Sequence, residues 1–123
     1  MPSRLLLLTL IVFSLGVKAG TSCREDGSTM EMRACIVDEL KVEEEKLSEA
    51  LNTALKSSDW IAKEINRSQE DWIKYRDTQC NAVYSLGGSM RFISQPLCLL
   101  DLTKQRTIGV LKSFTRDTDY GGN

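Results

Sequence analysis

The residues most able to take part in chemistry are four cysteines, because the 123-residue chain contains no histidine. They are Cys23, Cys35, Cys80 and Cys98. Without histidine the chain lacks the usual general acid–base group, and without a Cys-x-x-Cys pair a zinc site is disfavoured. An even number of cysteines in a small exported chain predicts two disulfides, which would remove the thiolate nucleophile. We therefore expect no enzyme activity, no metal ion and no cofactor.

The pairing of these cysteines is open to more than one solution, since four cysteines allow three connectivities. Pairing Cys23 with Cys35 and Cys80 with Cys98 closes the shortest loops and is favoured. Pairing Cys35 with Cys80 and Cys23 with Cys98 is the alternative, because Cys35 and Cys80 lie almost equally far from a turn near Ser57.

A stripe of polar residues occupies the middle of the chain. Gln69, Trp72, Arg76 and Cys80 recur at spacings of three and four, which places them on one helix face. Arginine and glutamine rarely face inward without partners, so a later helix should supply polar groups, and Asp77 and Arg106 are expected to pair. The predicted structural polar stripe comprises Gln69, Trp72, Arg76, Asp77, Thr103 and Arg106.

The N-terminus predicts a cleaved signal peptide over residues 1–19. Arg4 precedes an apolar run of about eleven residues, and Val17 and Ala19 provide small or apolar residues before the cleavage site. The run is too short for a bilayer, which needs about 20 residues, so no stable membrane insertion is expected after cleavage. Lipid attachment at Cys23 is disfavoured, since Gly20 stands where a leucine is usual. The mature protein is therefore expected in the periplasm or secreted.

The charge of the mature chain restricts its partners. Loss of Arg4 and Lys18 with the leader changes the formal net charge from −1 to −3. A mildly acidic domain argues against nucleic acid or an anionic membrane as partner and is compatible with a cationic protein.

The remaining pattern predicts an all-α fold, a small antiparallel three-helix bundle stapled by two disulfides. Ser28 caps a first helix that runs to about Lys56, and a break at residues 57–59 leads to a second helix that ends near Leu86. Residues 90–95 are expected to form a loop, with Pro96 as the first residue of a third helix. The helical domain spans residues 20–115, and residues 116–123 form a flexible tail.

Several of these motifs follow one another in a familiar order. Cys23 and Cys35 flank a helix start, and Gln69-x-x-Trp72-x-x-x-Arg76-Asp77-x-x-Cys80 follows. Gly87-Gly88-Ser89 and then Cys98 with Thr103-x-x-Arg106 complete the series. This order resembles the lysozyme inhibitor LprI N-terminal-domain family of exported bacterial proteins. The resemblance implies a small helical domain, a location in the cell envelope and inhibition of lysozyme through protein–protein contact.

Two surfaces are candidates for contact with a cationic lysozyme. The candidate acidic face comprises Glu39, Glu43, Glu44, Glu45 and Glu49. The candidate binding loop, within residues 85–95, comprises Gly87, Gly88, Ser89, Arg91 and Phe92. The acidic face would dock on the outer surface of the lysozyme, whereas the loop would insert Ser89 or Arg91 into its cleft.

Two other roles are compatible with the same sequence. One is a cell-envelope interaction, stress or immunity protein whose partner is not a lysozyme. The other is a helical domain that oligomerises through Trp60 and Ile61.

Overall fold

The computed structural model describes residues 21–24 and 26–115. In that part the chain forms α1 (Thr29–Ser57), a 3-10 turn (Asp59–Ile61), α2 (Ala62–Ser85) and α3 (Arg91–Phe114), and no strand. The predicted all-α bundle of three helices is therefore confirmed. The predicted signal peptide (residues 1–19) and flexible tail (residues 116–123) lie outside the described residues.

The ends of α1 are defined by two serines. The hydroxyl of Ser28 accepts a hydrogen bond from the backbone N–H of Glu31 at 3.2 Å, which satisfies one of the amides left free at a helix start. At the other end the hydroxyl of Ser58 donates to the carbonyl oxygen of Phe114 at 2.8 Å. Ser58 therefore fastens the end of α1 to the end of α3 and does not cap the following helix.

The core consists of two clusters of apolar residues along α1 and α3. One contains Cys23, Ile36, Ile93 and Leu100. The other contains Leu47, Ala50, Ala54 and Val110. Because the first joins the N-terminal halves of α1 and α3 and the second joins their C-terminal halves, these helices run parallel. The helix between them in sequence, α2, runs antiparallel to both. It packs on α3 and makes much less contact with α1.

The start of α3 differs from the prediction. The helix begins at Arg91, so Pro96 lies inside it and not at its first position. Proline has no N–H, and the carbonyl four residues earlier, that of Phe92, loses its usual helical donor. Arg33 of α1 replaces that donor, because its Nη1 donates to the Phe92 oxygen at 2.6 Å. The contact from α1 explains why the helix extends through the residues expected to be a loop.

The two disulfides join neighbouring segments in sequence order. Cys23 pairs with Cys35 at a Cα–Cα distance of 5.9 Å, and Cys80 pairs with Cys98 at 5.5 Å. The favoured pairing is confirmed and the alternative one is wrong. The first bridge fastens the N-terminal lead to α1, and the second joins the end of α2 to α3. Among the described helices, none is both long and apolar enough to cross a membrane.

Candidate functional site

Arg76 is the centre of a polar cluster to which all three helices contribute. Its Nη1 donates to the hydroxyl of Thr103 on α3 at 3.3 Å and to the carboxylate of Glu44 on α1 at 3.2 Å. Its Nε donates to Asp77 at 3.0 Å. Thr103 is fully buried and donates in turn to the carbonyl of Leu99 at 2.7 Å. Arg76 thus places a charged fork, matched to several acceptors, between the two apolar clusters.

Arg106 bonds to α2, but its partner is not the one expected from the sequence. Its Nε donates to the side-chain oxygen of Gln69 and its Nη2 to the hydroxyl of Ser68, both at 3.0 Å. The prediction that Arg106 pairs with Asp77 is wrong. The Cys80–Cys98 bridge sets the register of the antiparallel helices and brings Arg106 level with Trp72, about one turn from Gln69 and more than one turn from Asp77.

Arg106 is unusual because, within the described part of the chain, no carboxylate lies at ion-pair distance from it. Burial lowers the pKa of its guanidinium, since desolvation disfavours the charged form. Its neutral hydrogen-bond partners and the face of Trp72 replace the missing counter-charge.

Trp72 connects the two arginines. The guanidinium carbon of Arg76 lies 5.2 Å from the centre of the Trp72 ring and that of Arg106 lies 5.8 Å from it. Both distances are within the range of cation–π attraction. Trp72 also packs against the apolar cluster that contains Leu47. The structure brings together the six residues of the predicted stripe, with Asp77 at its edge, where its half-exposed side chain accepts a hydrogen bond from the adjacent Arg76.

The contacts of the polar cluster hold the three helices together. Among the described residues, no buried side-chain nitrogen or oxygen lacks a hydrogen-bond partner. Beside the cluster, a shallow groove of about 220 Å³ runs between α1 and α2, with Trp72 and Leu47 in its lining. The donors of Arg76 already bond to three acceptors from three helices, and this arrangement fits cross-linking of the bundle better than binding of a substrate.

The five glutamates of the predicted acidic face do not form one surface. Consecutive residues of a helix point about 100° apart, so Glu43, Glu44 and Glu45 diverge. Glu44 bonds to Arg76, and Glu43 bonds to Lys46 at 3.0 Å with its side chain only 15% exposed. Glu45 and Glu49 are exposed. These five glutamates therefore lie on different sides of α1, and their role in binding stays a prediction.

Glu39 has a separate role at the N-terminal lead. Its carboxylate accepts hydrogen bonds from the hydroxyl of Thr21 and the backbone N–H of Ser22, both at 3.0 Å, and from the hydroxyl of Ser22. Burial alone would raise the pKa of Glu39, but these bonds and the charge of Lys104 outweigh it and lower the pKa. Glu39 also lies within 4.8 Å of the sulfurs of Cys23 and Cys35. Both sulfurs are consumed in the disulfide, which leaves no thiolate to hold a metal ion.

The predicted binding loop forms the connection between α2 and α3. Gly87 and Gly88 have φ angles of 78° and 83°, in the left-handed region that glycine adopts without strain. Arg91 follows at the first position of α3, with its guanidinium carbon 5.4 Å from the ring of Tyr84 and 5.1 Å from that of Phe92. The two rings meet edge to face with their centres 5.8 Å apart.

Large apolar side chains are exposed around Arg91. Leu86 is 86% exposed, Met90 52% and Phe92 44%. We call Leu86, Met90, Arg91 and Phe92 the turn surface. The sequence analysis did not identify Leu86, Met90 or Tyr84, whose ring contacts Arg91, although the distribution of charge along the chain points to this segment. Residues 78–100 contain one formal charge, that of Arg91, in a chain whose residues are 27% charged.

Together these features define a class of protein: a small helical domain held by two disulfides and an internal polar cluster, with an apolar and cationic turn at one end. The chain belongs to the family described as Lysozyme inhibitor LprI, whose family model matches residues 21–108. No curated protein and no solved structure matches the chain. The disulfides and the family fit a protein that works outside the cytoplasm.

Proposed function

We propose that this protein is exported by a signal peptide cleaved after Ala19 and inhibits a lysozyme-type muramidase through protein–protein contact. Its place of action is the periplasm or the surroundings of the cell. The family match over residues 21–108 is the observation that carries this proposal. Export also fits the two disulfides, which are stable in an oxidising compartment.

The chemistry of the chain supports a role in binding and not in catalysis. The sequence has no histidine, and all four cysteines are paired. In the described part, the best-connected polar groups are occupied with each other inside the bundle. An inhibitor needs none of these groups to react, because occlusion of a substrate cleft requires only a complementary surface.

A titration of lysozyme activity tests the proposal. The oxidised mature domain, residues 20–123, is added to a c-type and a g-type lysozyme that digest a peptidoglycan suspension. We expect near-stoichiometric inhibition of at least one of them, and the same domain reduced and alkylated serves as the control. Full lysozyme activity at a large excess of oxidised domain would contradict the proposal. Recovery of a non-muramidase partner from periplasm would then favour a cell-envelope interaction, stress or immunity protein.

A further inference from the structure

We infer that the turn surface is the inhibitory surface, and that it enters a substrate cleft lined by carboxylates with Arg91 at its centre. This inference rests on the proposed function and deepens it by naming the surface and the chemistry of its partner. Enzymes that hydrolyse glycosidic bonds typically carry a pair of carboxyl groups on either side of the bond. The turn surface would thus bind in the acidic cleft of the enzyme and not on its cationic outer surface.

Charge complementarity is the first argument. The mature chain has a formal net charge of −3 once Arg4 and Lys18 are removed, yet no Asp or Glu occurs between Asp77 and Asp101. Arg91 is the only formal charge in that segment. A docking surface that is positive on an otherwise acidic domain favours a negative partner and disfavours approach by any other face.

The side-chain donors of Arg91 also support the inference. Its guanidinium carbon lies within cation–π distance of the rings of both Tyr84 and Phe92. Within the described residues, its side-chain N–H groups make no hydrogen bond and no ion pair. Arginine presents these groups as a planar fork that matches a carboxylate. Arg91 is therefore oriented by aromatic contacts while its donors remain available to a partner.

The rigidity of the turn is the third argument. Cys80–Cys98 joins the two helices just below it. Arg33 of α1 holds the carbonyl of Phe92 at 2.6 Å, so the first turn of α3 is fixed from a second side. Interface residues that are already ordered lose less conformational entropy on binding. These two contacts thus preorganise the turn surface.

Exposed apolar area is the fourth argument. Leu86, Met90 and Phe92 lie within five residues of Arg91 in the chain, and all three are more than 40% exposed. Exposed apolar patches mark interaction sites, and arginine is enriched among the few residues that dominate a protein interface. Since α1 begins at the same end, Met30, 83% exposed, adds apolar surface one turn before Arg33.

A comparison of charge-reversed variants tests the inference. Arg91→Glu alters the turn surface, and Arg67→Glu makes the same charge change at an exposed position on α2. We expect Arg91→Glu to raise the inhibition constant for lysozyme by at least about 30-fold and Arg67→Glu to change it by less than about threefold. Leu86→Ser and Ile108→Ser form a second matched pair, because Ile108 is 67% exposed on α3. Circular dichroism melting verifies that each variant is folded.

The outcomes separate this inference from the proposed function. If Arg91→Glu and Leu86→Ser lose inhibition strongly while Arg67→Glu and Ile108→Ser keep it, the result supports both the proposed function and the docking inference. If the wild-type domain inhibits and Arg91→Glu inhibits equally well, the function stands and the docking inference is overturned. If Arg67→Glu weakens inhibition as much as Arg91→Glu, the effect is a non-specific one of charge and the docking inference is overturned. If the wild-type domain inhibits no lysozyme, the proposed function fails and the inference fails with it.

Discussion

Arg76 links three helices through one side chain that is only 14% exposed. Arg76→Ala removes its bonds to Thr103 and Glu44 and its contact with Trp72. We expect the free energy of unfolding to fall by about 2 kcal/mol, because hydrogen bonds to charged groups are among the stronger ones. Urea denaturation of the oxidised domain measures this loss.

Two controls define the role of Arg76. Arg67→Ala, at an exposed position on the same helix, should change the stability by less than about 0.5 kcal/mol. Under conditions where Arg76→Ala is fully folded, its inhibition constant should equal that of the wild type. A stable variant that no longer inhibits would show that Arg76 contacts the partner.

Glu39 makes a pH-dependent contribution to stability. Its pKa is lowered in the folded state, so its stabilising effect is present above its ordinary pKa of about 4.5 and is lost as the pH falls through the lower folded value. Glu39→Gln should lower the melting temperature near neutral pH, and the difference from wild type should shrink as the pH falls below about 4.5.

Melting curves at several pH values check this expectation. Glu45→Gln is the matched control, since Glu45 is an exposed carboxylate on the same helix. A difference between Glu39→Gln and wild type that stays constant down to about pH 3 would contradict the assigned role.

The residues of the polar stripe could be predicted from spacing, but their partners could not. Helical periodicity places Gln69, Trp72 and Arg76 on one face whatever the fold. The choice of Gln69 over Asp77 as the partner of Arg106 depends on the register between α2 and α3. That register is set by a bridge whose pairing the sequence left open.

At the level of the helix, α3 depends on a donor from α1. The side chain of Arg33 compensates for the N–H that Pro96 lacks. Arg33→Ala should therefore cost about 1.5 kcal/mol in the wild type. It should cost less than half of that in a Pro96→Ala background, because the restored backbone N–H can bond to the Phe92 carbonyl.

A double-mutant cycle in urea measures the coupling between these positions. Lys41→Ala, an exposed change elsewhere on α1, should cost the same in both backgrounds. Equal costs of Arg33→Ala in both backgrounds would mean that the contact with Phe92 does not compensate for the proline.

The helix boundaries show where local sequence reasoning ends. The serine cap of α1 and the glycines after α2 act through contacts within a few residues, so both could be predicted. The start of α3 could not, because the donor to the Phe92 carbonyl, which Pro96 leaves without its helical N–H, is 59 residues away in the chain. The tertiary contact overrides the local preference of proline for a helix start.

For the whole molecule, the two disulfides should contribute similarly to stability but differently to inhibition. They close loops of 18 and 12 residues, so removal of either should cost a similar amount, about 3 kcal/mol. Cys23 packs near Ile93 at the same end of the bundle, but only Cys80–Cys98 joins the two helices that flank the turn surface. We expect Cys80→Ala with Cys98→Ala to weaken inhibition by about tenfold, and Cys23→Ala with Cys35→Ala to leave it nearly unchanged.

Urea denaturation and the lysozyme assay, both at a temperature where each variant is folded, check this pair of expectations. Equal inhibition constants for the two double variants would contradict a role for Cys80–Cys98 in ordering the turn surface.

The three-helix architecture could be predicted because composition, periodicity and cysteine count agree on it. The same patterns gave no information on which helix is central. That position belongs to α3, which packs on both others and carries Thr103 at the point where they meet. The sequence also suggested a single acidic face from a run of glutamates, but helical geometry distributes those residues around α1.

If the turn surface is inhibitory, the ordered turn on the disulfide-stapled bundle should occlude the cleft of a lysozyme-type enzyme. Calorimetric titration of the oxidised domain into lysozyme, with the cleft empty or filled by an N-acetylglucosamine oligosaccharide, tests it most directly. We expect tight binding to the empty enzyme and competitive loss of affinity as the oligosaccharide concentration rises. Unchanged affinity for the filled enzyme, or no binding to the empty one, would contradict it.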